Sequence, residues 1–179
     1  MEMGNKALII TGKNVQDHEF IYPYYRLKEA GYEVTVAIRN AKNERTTTGI
    51  LGTKIPCDDE CEIIDTNQLS DPKKFKSFQV LVIPGGAKAM EYLRQETVIL
   101  EFIDWWDYRK KDLFVICHAA QLLISAKIIK GRKVAGYYSI KDDIINAGGK
   151  YCSTYCKDGN IYSASHYKYM GEWMRWILK

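Results

Sequence analysis

Short apolar segments with the character of buried strands alternate along the chain with segments of helical periodicity. The strand-like segments cover residues 7–10, 33–38, 80–83 and 113–116, and the second of these is rich in β-branched residues. Such alternation is typical of a parallel sheet covered by helices. A chain of 179 residues can bury a sizeable core in one domain. We therefore predict an α/β fold with a mostly parallel sheet, as a single domain over residues 1–179.

The segments between these strands predict the covering elements. Helical patterns occupy residues 17–30, 91–110, 119–124, 140–147 and 169–178. Weaker strand patterns occupy residues 134–135 and 160–163, and Asp71-Pro72 begins a short helical turn because proline is favoured at the first helical position. Residues 45–64 are irregular and contain Gly49, Gly52 and Pro56, which predicts a β-hairpin or an excursion rather than a helix.

The fourth strand-like segment ends directly at Cys117-His118, and helix-forming residues follow at once. This pattern places Cys117 at a helix N-terminus, where the helix dipole and unpaired backbone N–H groups favour thiolate over thiol. A thiolate is the form in which cysteine acts as a nucleophile near neutral pH. A buried free cysteine that merely fills a strand end explains the local pattern equally well. Catalysis therefore requires partners for Cys117 elsewhere in the chain.

Candidate partners for Cys117 follow two other strands, and parallel sheets bind ligands at the carboxyl ends of their strands. If the first, third and fourth strands are neighbours, these residues face one pocket. Glu19 can hold or relay a proton if burial raises its pKa, although a first-turn glutamate is also favourable at a surface. Gly85 and Gly86 can aim N–H donors at an oxyanion together with the amide of His118, although Pro-Gly-Gly is also a common turn. His118 is a candidate general base whose orientation the sequence leaves open.

Charge and hydropathy exclude several classes of function. The net charge of +4 is spread along the chain without a basic run, so we expect no nucleic-acid partner. No apolar stretch approaches the roughly 18 residues of a membrane span, so we expect no membrane partner. The first residues carry no secretory signal, which predicts a cytoplasmic protein with reduced cysteines.

Four of the five cysteines form two Cys-x-x-x-Cys pairs, Cys57 with Cys61 and Cys152 with Cys156. Zinc sites tolerate this spacing. Residues 151–156, however, have the pattern of one extended segment, which would hold the sulfurs of the second pair about 13 Å apart. We therefore expect incidental thiols rather than zinc ligands, and no metal site.

Several sequence blocks together resemble the ThiJ/PfpI superfamily, in its PfpI-like intracellular protease and amidase branch. The blocks follow in order along nearly the whole chain, at residues 19–34, 81–86, 116–118, 121–126, 130–133, 140–148 and 158–160. The resemblance implies a flavodoxin-like three-layer sandwich, with helices on both faces of the sheet and the cysteine on a strained nucleophile elbow between strand and helix. It also implies a homodimer or a homohexamer.

The resemblance further implies roles for individual residues. Cys117 would be the nucleophile, with His118 adjacent to it and Glu19 in contact with the thiol. The oxyanion-hole amides would be those of Gly86 and His118. In PfpI-like proteases a glutamate shortly after the Pro-Gly-Gly turn reaches the histidine of a neighbouring subunit. Glu91 is the nearby candidate, at a spacing that differs by about one residue.

Departures from the family pattern lie around the expected pocket mouth. Ala119-Ala120 replaces the usual Gly-Pro after the Cys-His pair, and Gln16 stands where an acidic residue is common. Residues 163–169 replace a Ser-Arg segment that is followed by a loop with proline and aspartate. These changes predict a substrate other than the family's usual one.

Histidines and tyrosines are candidates to line this altered rim. We expect His18, His118 and His166 there, with a metal site that includes Cys117 as a less favoured alternative. Tyr137 is a candidate for an aromatic wall of a small pocket. Four further tyrosines fit the same wall, or equally an oligomer contact: Tyr22, Tyr138, Tyr167 and Tyr169.

Two classes of function fit these residues. The first is an enzyme without a cofactor, in which the Cys117 thiolate attacks a small carbonyl or amide compound, either as a hydrolase of amidase type or as a glyoxalase-like lyase. The second is a non-enzymatic redox-sensing or protective protein in which Cys117 oxidises to sulfinate beside Glu19. A tailoring enzyme for one specialised metabolite is a further alternative. Hydratase chemistry fits this sequence less well, because isocyanide-hydrating members of the superfamily lack a histidine after the cysteine, whereas His118 follows Cys117 here.

Overall fold

A seven-stranded sheet forms the centre of the computed structural model, which describes residues 4–41 and 45–178. From one edge to the other its strands are β10 (Tyr155–Asp158), β11 (Ile161–Ala164), β7 (Asp112–Ile116), β6 (Phe78–Ile83), β1 (Lys6–Thr11), β2 (Glu33–Ile38) and β5 (Glu62–Asp65). All neighbours are parallel except β10, which is antiparallel to β11. The central strands β1, β6 and β7 are nearly continuous runs of buried apolar residues, as strands covered on both faces must be. The predicted mostly parallel sheet is confirmed.

Helices cover both faces of this sheet because the crossovers leave β1 and β6 in opposite directions, and crossovers between parallel strands are right-handed as a rule. The helices are α1 (Asp17–Glu29), α2 (Ala87–Leu93), α3 (Thr97–Tyr108), α4 (Ala120–Ser125), α5 (Lys141–Asn146) and α6 (Met170–Met174). Helix α1 packs with α6, whereas α4 packs with α2, α3 and α5. The flavodoxin-like sandwich expected from the resemblance is therefore confirmed. Among the described residues no helix is long and apolar enough to cross a membrane. Residues 1–3, where we expected no secretory signal, lie outside the described part.

Two small sheets complete the fold. The hairpin predicted within residues 45–64 is present as β3 (Thr47–Thr48) and β4 (Lys54–Ile55), which are antiparallel. The end of that segment, however, belongs to the central sheet, because Glu62–Asp65 forms the edge strand β5 and pairs with β2. The second small sheet pairs β8 (Lys133–Ala135) with β9 (Lys150–Cys152).

The single helix predicted over residues 91–110 is wrong. The chain forms α2 from Ala87 and then α3, because the backbone at Glu96 is extended and begins a new helix. The Glu96 carboxylate accepts a hydrogen bond of 2.7 Å from Arg39, which holds the break in place. The terminal helix predicted over residues 169–178 is shorter than expected, since 3₁₀ turns flank α6 on both sides.

The single extended segment predicted over residues 151–156 is also wrong. Strand β9 ends at Cys152, the chain turns at residues 153–154, and β10 then joins the central sheet. The thiols of Cys152 and Cys156 are consequently neighbours. Burial is the main cause that raises the pKa of Cys156 to about 11, and the nearby Cys152 thiol adds to this effect. All five cysteines are free.

Candidate active site

The carboxyl ends of β1, β6 and β7 meet at one edge of the sheet, because these three strands are adjacent. Glu19 lies in the first turn of α1 after β1, Gly85 and Gly86 follow β6, and Cys117 follows β7. The expectation that these strands are neighbours is confirmed. The sheet order therefore brings the carboxyl group, the glycine turn and the thiol together at one place.

Cys117 occupies a sharp turn between strand and helix. Its φ is 59°, in the left-handed region that non-glycine residues rarely adopt. A 3₁₀ turn over Cys117–Ala119 connects β7 to α4. The N–H of Tyr137 donates a hydrogen bond of 3.2 Å to the Cys117 carbonyl oxygen and helps to hold this conformation. The strained elbow implied by the resemblance is present.

The two glycines after β6 allow the backbone to approach the thiol closely. A Cβ atom at Gly85 would press on the Glu19 carboxylate and would lie 2.8 Å from the Cβ of Cys117. Gly86 has a φ of 103°, and a Cβ there would lie 2.6 Å from the carbonyl oxygen of Asn14. As a result, the N–H groups of Gly86 and His118 both hydrogen-bond to the Cys117 sulfur. This is the placement that oxyanion stabilisation requires.

Glu19 is fully buried beside the thiol. Its Oε2 accepts a hydrogen bond of 2.9 Å from the Gly85 N–H, and its carboxyl group hydrogen-bonds to Cys117. Burial raises the pKa of Glu19 to about 7, against the opposing effect of these hydrogen bonds. Its other oxygen, Oε1, is buried without a hydrogen-bond partner among the described residues. Glu19 can therefore exchange a proton near neutral pH.

The expectation that the helix N-terminus makes Cys117 a resting thiolate is wrong. Burial is the main cause that raises the pKa of the Cys117 thiol, and the Glu19 carboxylate adds to it. The N–H groups of His118 and Gly86 lower the pKa but do not outweigh burial. Helix α4 begins only at Ala120 and has six residues, so its dipole acts from a distance. Burial therefore favours the protonated thiol of Cys117 over the thiolate.

His118 faces the sulfur although it is the next residue in the chain. Its Nδ1 lies 3.3 Å from the Cys117 Sγ, and its Nε2 lies 3.2 Å from the Ser139 Oγ. Burial lowers the pKa of His118, so the ring is neutral near pH 7 and can accept a proton. No motif in the sequence links Ser139 to a histidine 21 residues away, so this contact could not be predicted.

A cavity of about 360 Å³ opens above the Cys117 thiol. Tyr137, His166 and Tyr167 line it, as do Gln16 and Ile50. His18 is exposed and lies outside the cavity, next to Tyr167, with the two ring centroids 5.5 Å apart. The rim expected from the sequence is therefore present in part, because His118, His166, Tyr137 and Tyr167 line the cavity. The other expected residues are not among its lining residues: His18, Tyr22, Tyr138 and Tyr169.

Two other expectations fall outside this cavity. Glu91 lies on an exposed face of α2 and forms an ion pair of 2.8 Å with Lys88. Its reach to a neighbouring subunit stays a prediction. The less favoured metal alternative gains no support, since the described residues contain no group of three histidine, cysteine or carboxylate side chains placed to hold an ion.

Asp17, for which the sequence predicted no role, fixes part of the cavity wall. The Asp17 carboxylate is buried and accepts hydrogen bonds from the N–H groups of Leu51, at 2.8 Å, and Thr53, at 3.1 Å. Burial acts to raise the pKa of Asp17, but these hydrogen bonds together hold it below its usual value. The segment that carries Ile50 is thereby fastened to α1. An acidic residue in a first helical turn gave no sign of this role.

Comparison with known proteins identifies the family. The chain matches the model of the DJ-1/PfpI family over residues 5–179. It is 34% identical over 175 residues to deglycase PfpI of Pyrococcus furiosus, covering 97% of this chain and 98% of that one. It is 38% identical over 146 residues to general stress protein 18 of Bacillus subtilis, covering 82% and 78% of the two chains. The crystal structure of Drosophila melanogaster DJ-1beta has the same fold, with a TM-score of 0.84 over 98% of this chain and 89% of that one, at 22% identity. The chain belongs to the DJ-1/PfpI family.

Proposed function

We propose that this protein is a Cys117-dependent enzyme that converts small α-oxoaldehydes, free or as adducts, to 2-hydroxy acids. One observation carries the proposal: the Cys117 thiol and the buried Glu19 carboxyl group are hydrogen-bonded beneath two N–H donors. A relative that is named a deglycase supports a carbonyl-derived substrate. The same thiol and N–H donors would serve an amide hydrolase, which is the second candidate.

The first step is addition of the Cys117 sulfur to the aldehyde carbon. The thiol proton passes to the Glu19 carboxylate, whose pKa burial raises to about 7. As the S–C bond forms, the aldehyde oxygen gains negative charge, and the N–H groups of Gly86 and His118 stabilise it. Return of the proton from Glu19 to this oxygen gives a hemithioacetal.

The second step moves hydrogen between the two carbonyl carbons. A base removes the proton from the carbon that carries sulfur, and a proton is delivered to the neighbouring ketone carbon. In the same step the hydroxyl proton of the hemithioacetal passes to the ketone oxygen. His118 fits the role of the base, since it is neutral and its Nδ1 lies 3.3 Å from the sulfur. The aldehyde carbon is oxidised as the ketone carbon is reduced, which gives a thioester of a 2-hydroxy acid. Water then adds to the acyl carbon, the S–C bond breaks, and the sulfur regains its proton.

Conversion of methylglyoxal and water to lactate tests this function. We expect Cys117→Ser to lower kcat/KM by about a thousandfold or more, while Cys61→Ser, a half-buried cysteine outside the cavity, retains activity. Equal turnover by Cys117→Ser and wild type would contradict the proposal. Turnover of an amide reporter but not of methylglyoxal would favour the hydrolase. If neither reacts and peroxide converts Cys117 to sulfinate, the redox-sensing alternative replaces both.

The role of Glu19 gives a pH dependence. Below its pKa of about 7 both Glu19 and Cys117 hold protons, and no acceptor for the thiol proton is ready. We expect kcat/KM to rise about tenfold per pH unit below pH 7 and to level off above it. In Glu19→Gln we expect kcat/KM no longer to rise with pH below pH 7, and to be lower than in wild type at pH 8. A wild-type profile that is flat between pH 5 and 8 would exclude Glu19 as the proton acceptor.

A further inference from the structure

Five rings form a continuous row around the cavity mouth, in the order His118, Tyr137, His166, Tyr167 and His18. Neighbouring centroids lie 4.9 Å, 5.9 Å, 4.0 Å and 5.5 Å apart along this aromatic row. The planes of neighbouring rings differ by only 22° to 43°. Four of the five rings line the cavity itself. The chemical steps proposed above use only His118 among them.

The cavity offers no lysine or arginine to a negatively charged molecule among its described lining residues. Beyond the aromatic row its described lining includes Gln16, Ile50 and Ala87, with no lysine or arginine. Glu19 is buried at the foot of the cavity, where its Oε2 accepts a hydrogen bond from the Gly85 N–H. Phosphorylated compounds would therefore lose hydrogen bonds to water without gaining an ion pair with a lysine or arginine.

Two histidines of the aromatic row, His118 and His166, are also uncharged near neutral pH. Burial lowers the pKa of both His118 and His166, and the nearby Lys168 lowers that of His166 further. Neutral imidazole and phenol rings attract other flat rings through offset or tilted stacking. A saturated ring of the same size gains burial but not this contact.

We propose that the cavity selects oxoaldehydes whose substituent is a flat aromatic ring, stacked against Tyr137, His166 and Tyr167. This selection deepens the proposed function and rests on it for turnover, but binding of the aromatic group depends on the cavity alone. The aldehyde carbon would reach Cys117 while the ring occupies the mouth. Aromatic stacking beyond simple burial is worth about 0.5–1.5 kcal/mol, which corresponds to a preference of about two- to tenfold.

Tyr167 is the residue that tests the preference. It lines the cavity and contacts His166 and His18, and no ring contact joins it to His118 among the described residues. Phenylglyoxal and cyclohexylglyoxal have rings of equal size that differ in flatness. We expect the kcat/KM ratio of the first to the second to fall about two- to tenfold in Tyr167→Leu and to stay near the wild-type value in Tyr167→Phe. Intrinsic reactivity cancels because the same two substrates are compared. Tyr108→Leu, an exposed tyrosine on α3, controls for general effects.

Binding to Cys117→Ala separates this inference from the proposed function. In that variant, acetophenone and cyclohexyl methyl ketone probe the cavity without reaction, and ligand-detected NMR gives both Kd values. We expect acetophenone to bind two- to tenfold more tightly, with the difference lost in Tyr167→Leu and kept in Tyr167→Phe. This result without turnover of any oxoaldehyde would overturn the function but support the selection. Equal Kd values, or a difference that Tyr167→Leu leaves intact, would overturn the selection.

Discussion

Cys117 has a backbone conformation that glycine adopts freely and cysteine does not. Its φ of 59° aims the sulfur at the cavity, between the N–H groups of Gly86 and His118. A left-handed conformation costs a non-glycine residue roughly 1–2 kcal/mol. The residue that carries the proposed chemistry is therefore also a source of strain in the folded state.

Substitution of Cys117 makes this strain measurable. Cys117→Ala keeps a Cβ at the strained position, whereas Cys117→Gly removes it. We expect the glycine variant to be more stable than the alanine variant by about 1 kcal/mol, measured as the free energy of unfolding in urea. A glycine variant less stable than the alanine variant would show that the surroundings, and not the backbone, set the stability at this position.

Burial of Glu19 predicts a loss of stability as the pH rises. The unfolded chain releases this proton near its ordinary pKa of 4.5, and the folded protein releases it only near 7. The native state therefore binds the proton more tightly, so the stability that this group contributes falls between pH 4.5 and 7 and stays low above pH 7. The difference amounts to on the order of 3 kcal/mol.

Glu19→Gln removes this titration. We expect the variant to match or exceed wild type in stability at pH 8 and to lose its advantage at pH 5. Thermal unfolding of both proteins at several pH values measures the difference. A stability difference that is independent of pH would mean that the pKa of Glu19 is not raised in the folded state.

At the scale of elements, the turn between β6 and α2 depends on the absence of a side chain at Gly85. A Cβ there would meet Glu19 of α1 and, at the end of β7, Cys117 and the carbonyl oxygen of Ile116. We expect Gly85→Ala to lower the free energy of unfolding by on the order of 3 kcal/mol. Circular dichroism during urea titration measures this change.

Gly171 provides the matched control for that substitution. It is exposed within α6, and a Cβ there would have no neighbour within 4 Å. Gly171→Ala should stabilise the protein by about 0.5–1 kcal/mol, since alanine favours helix. Equal effects of the two substitutions would contradict the packing described around Gly85.

Some of these elements could be predicted from sequence and others could not. Strands such as β1 and β7 could be predicted because a strand buried on both faces is a continuous run of apolar residues. The break between α2 and α3 could not be predicted, since the sequences of both helices have helical periodicity. The contact at the break is with Arg39, which lies 57 residues from Glu96 in the chain. The edge strand β5 is short and only partly buried, so it lacks a strong pattern.

The candidate site divides in the same way. Cys117, His118, Glu19 and Gly86 stand in recognisable local patterns, and the structure places all four at one cavity. Ser139 and Asp17 act only through partners distant in the chain. The raised pKa of Cys117 follows from burial, which is a property of tertiary packing that no local motif records.

At the scale of the whole molecule, the two ends of the central sheet serve different purposes. The candidate site occupies the carboxyl ends of β1, β6 and β7. Near the opposite end, Arg132 donates hydrogen bonds to the Asp107 carboxylate at 2.6 Å, and to the Asp158 carbonyl oxygen and Asn160 at 2.8 Å. This network ties α3 to the turn between β10 and β11.

Loss of the Arg132 network should affect stability without affecting catalysis. Arg132→Met would leave the buried Asp107 without its main partner and cost about 3 kcal/mol in the free energy of unfolding. Lys74→Met, which breaks an exposed ion pair of 3.9 Å with Asp71, should change stability by less than about 1 kcal/mol. We expect kcat/KM to be unchanged in both. A large fall in kcat/KM for folded Arg132→Met would show that the two ends are coupled.

The outer wall of the cavity comes from chain segments that do not carry the reacting groups. His166 and Tyr167 follow β11, in a segment that Ser165 fastens to Ser153 and Thr154 through hydrogen bonds of 2.7 Å. Cys117 and Glu19 belong to other parts of the chain. A protein engineer can therefore graft a different loop at residues 166–169 onto this scaffold and retune which molecules it admits, with the nucleophile left in place.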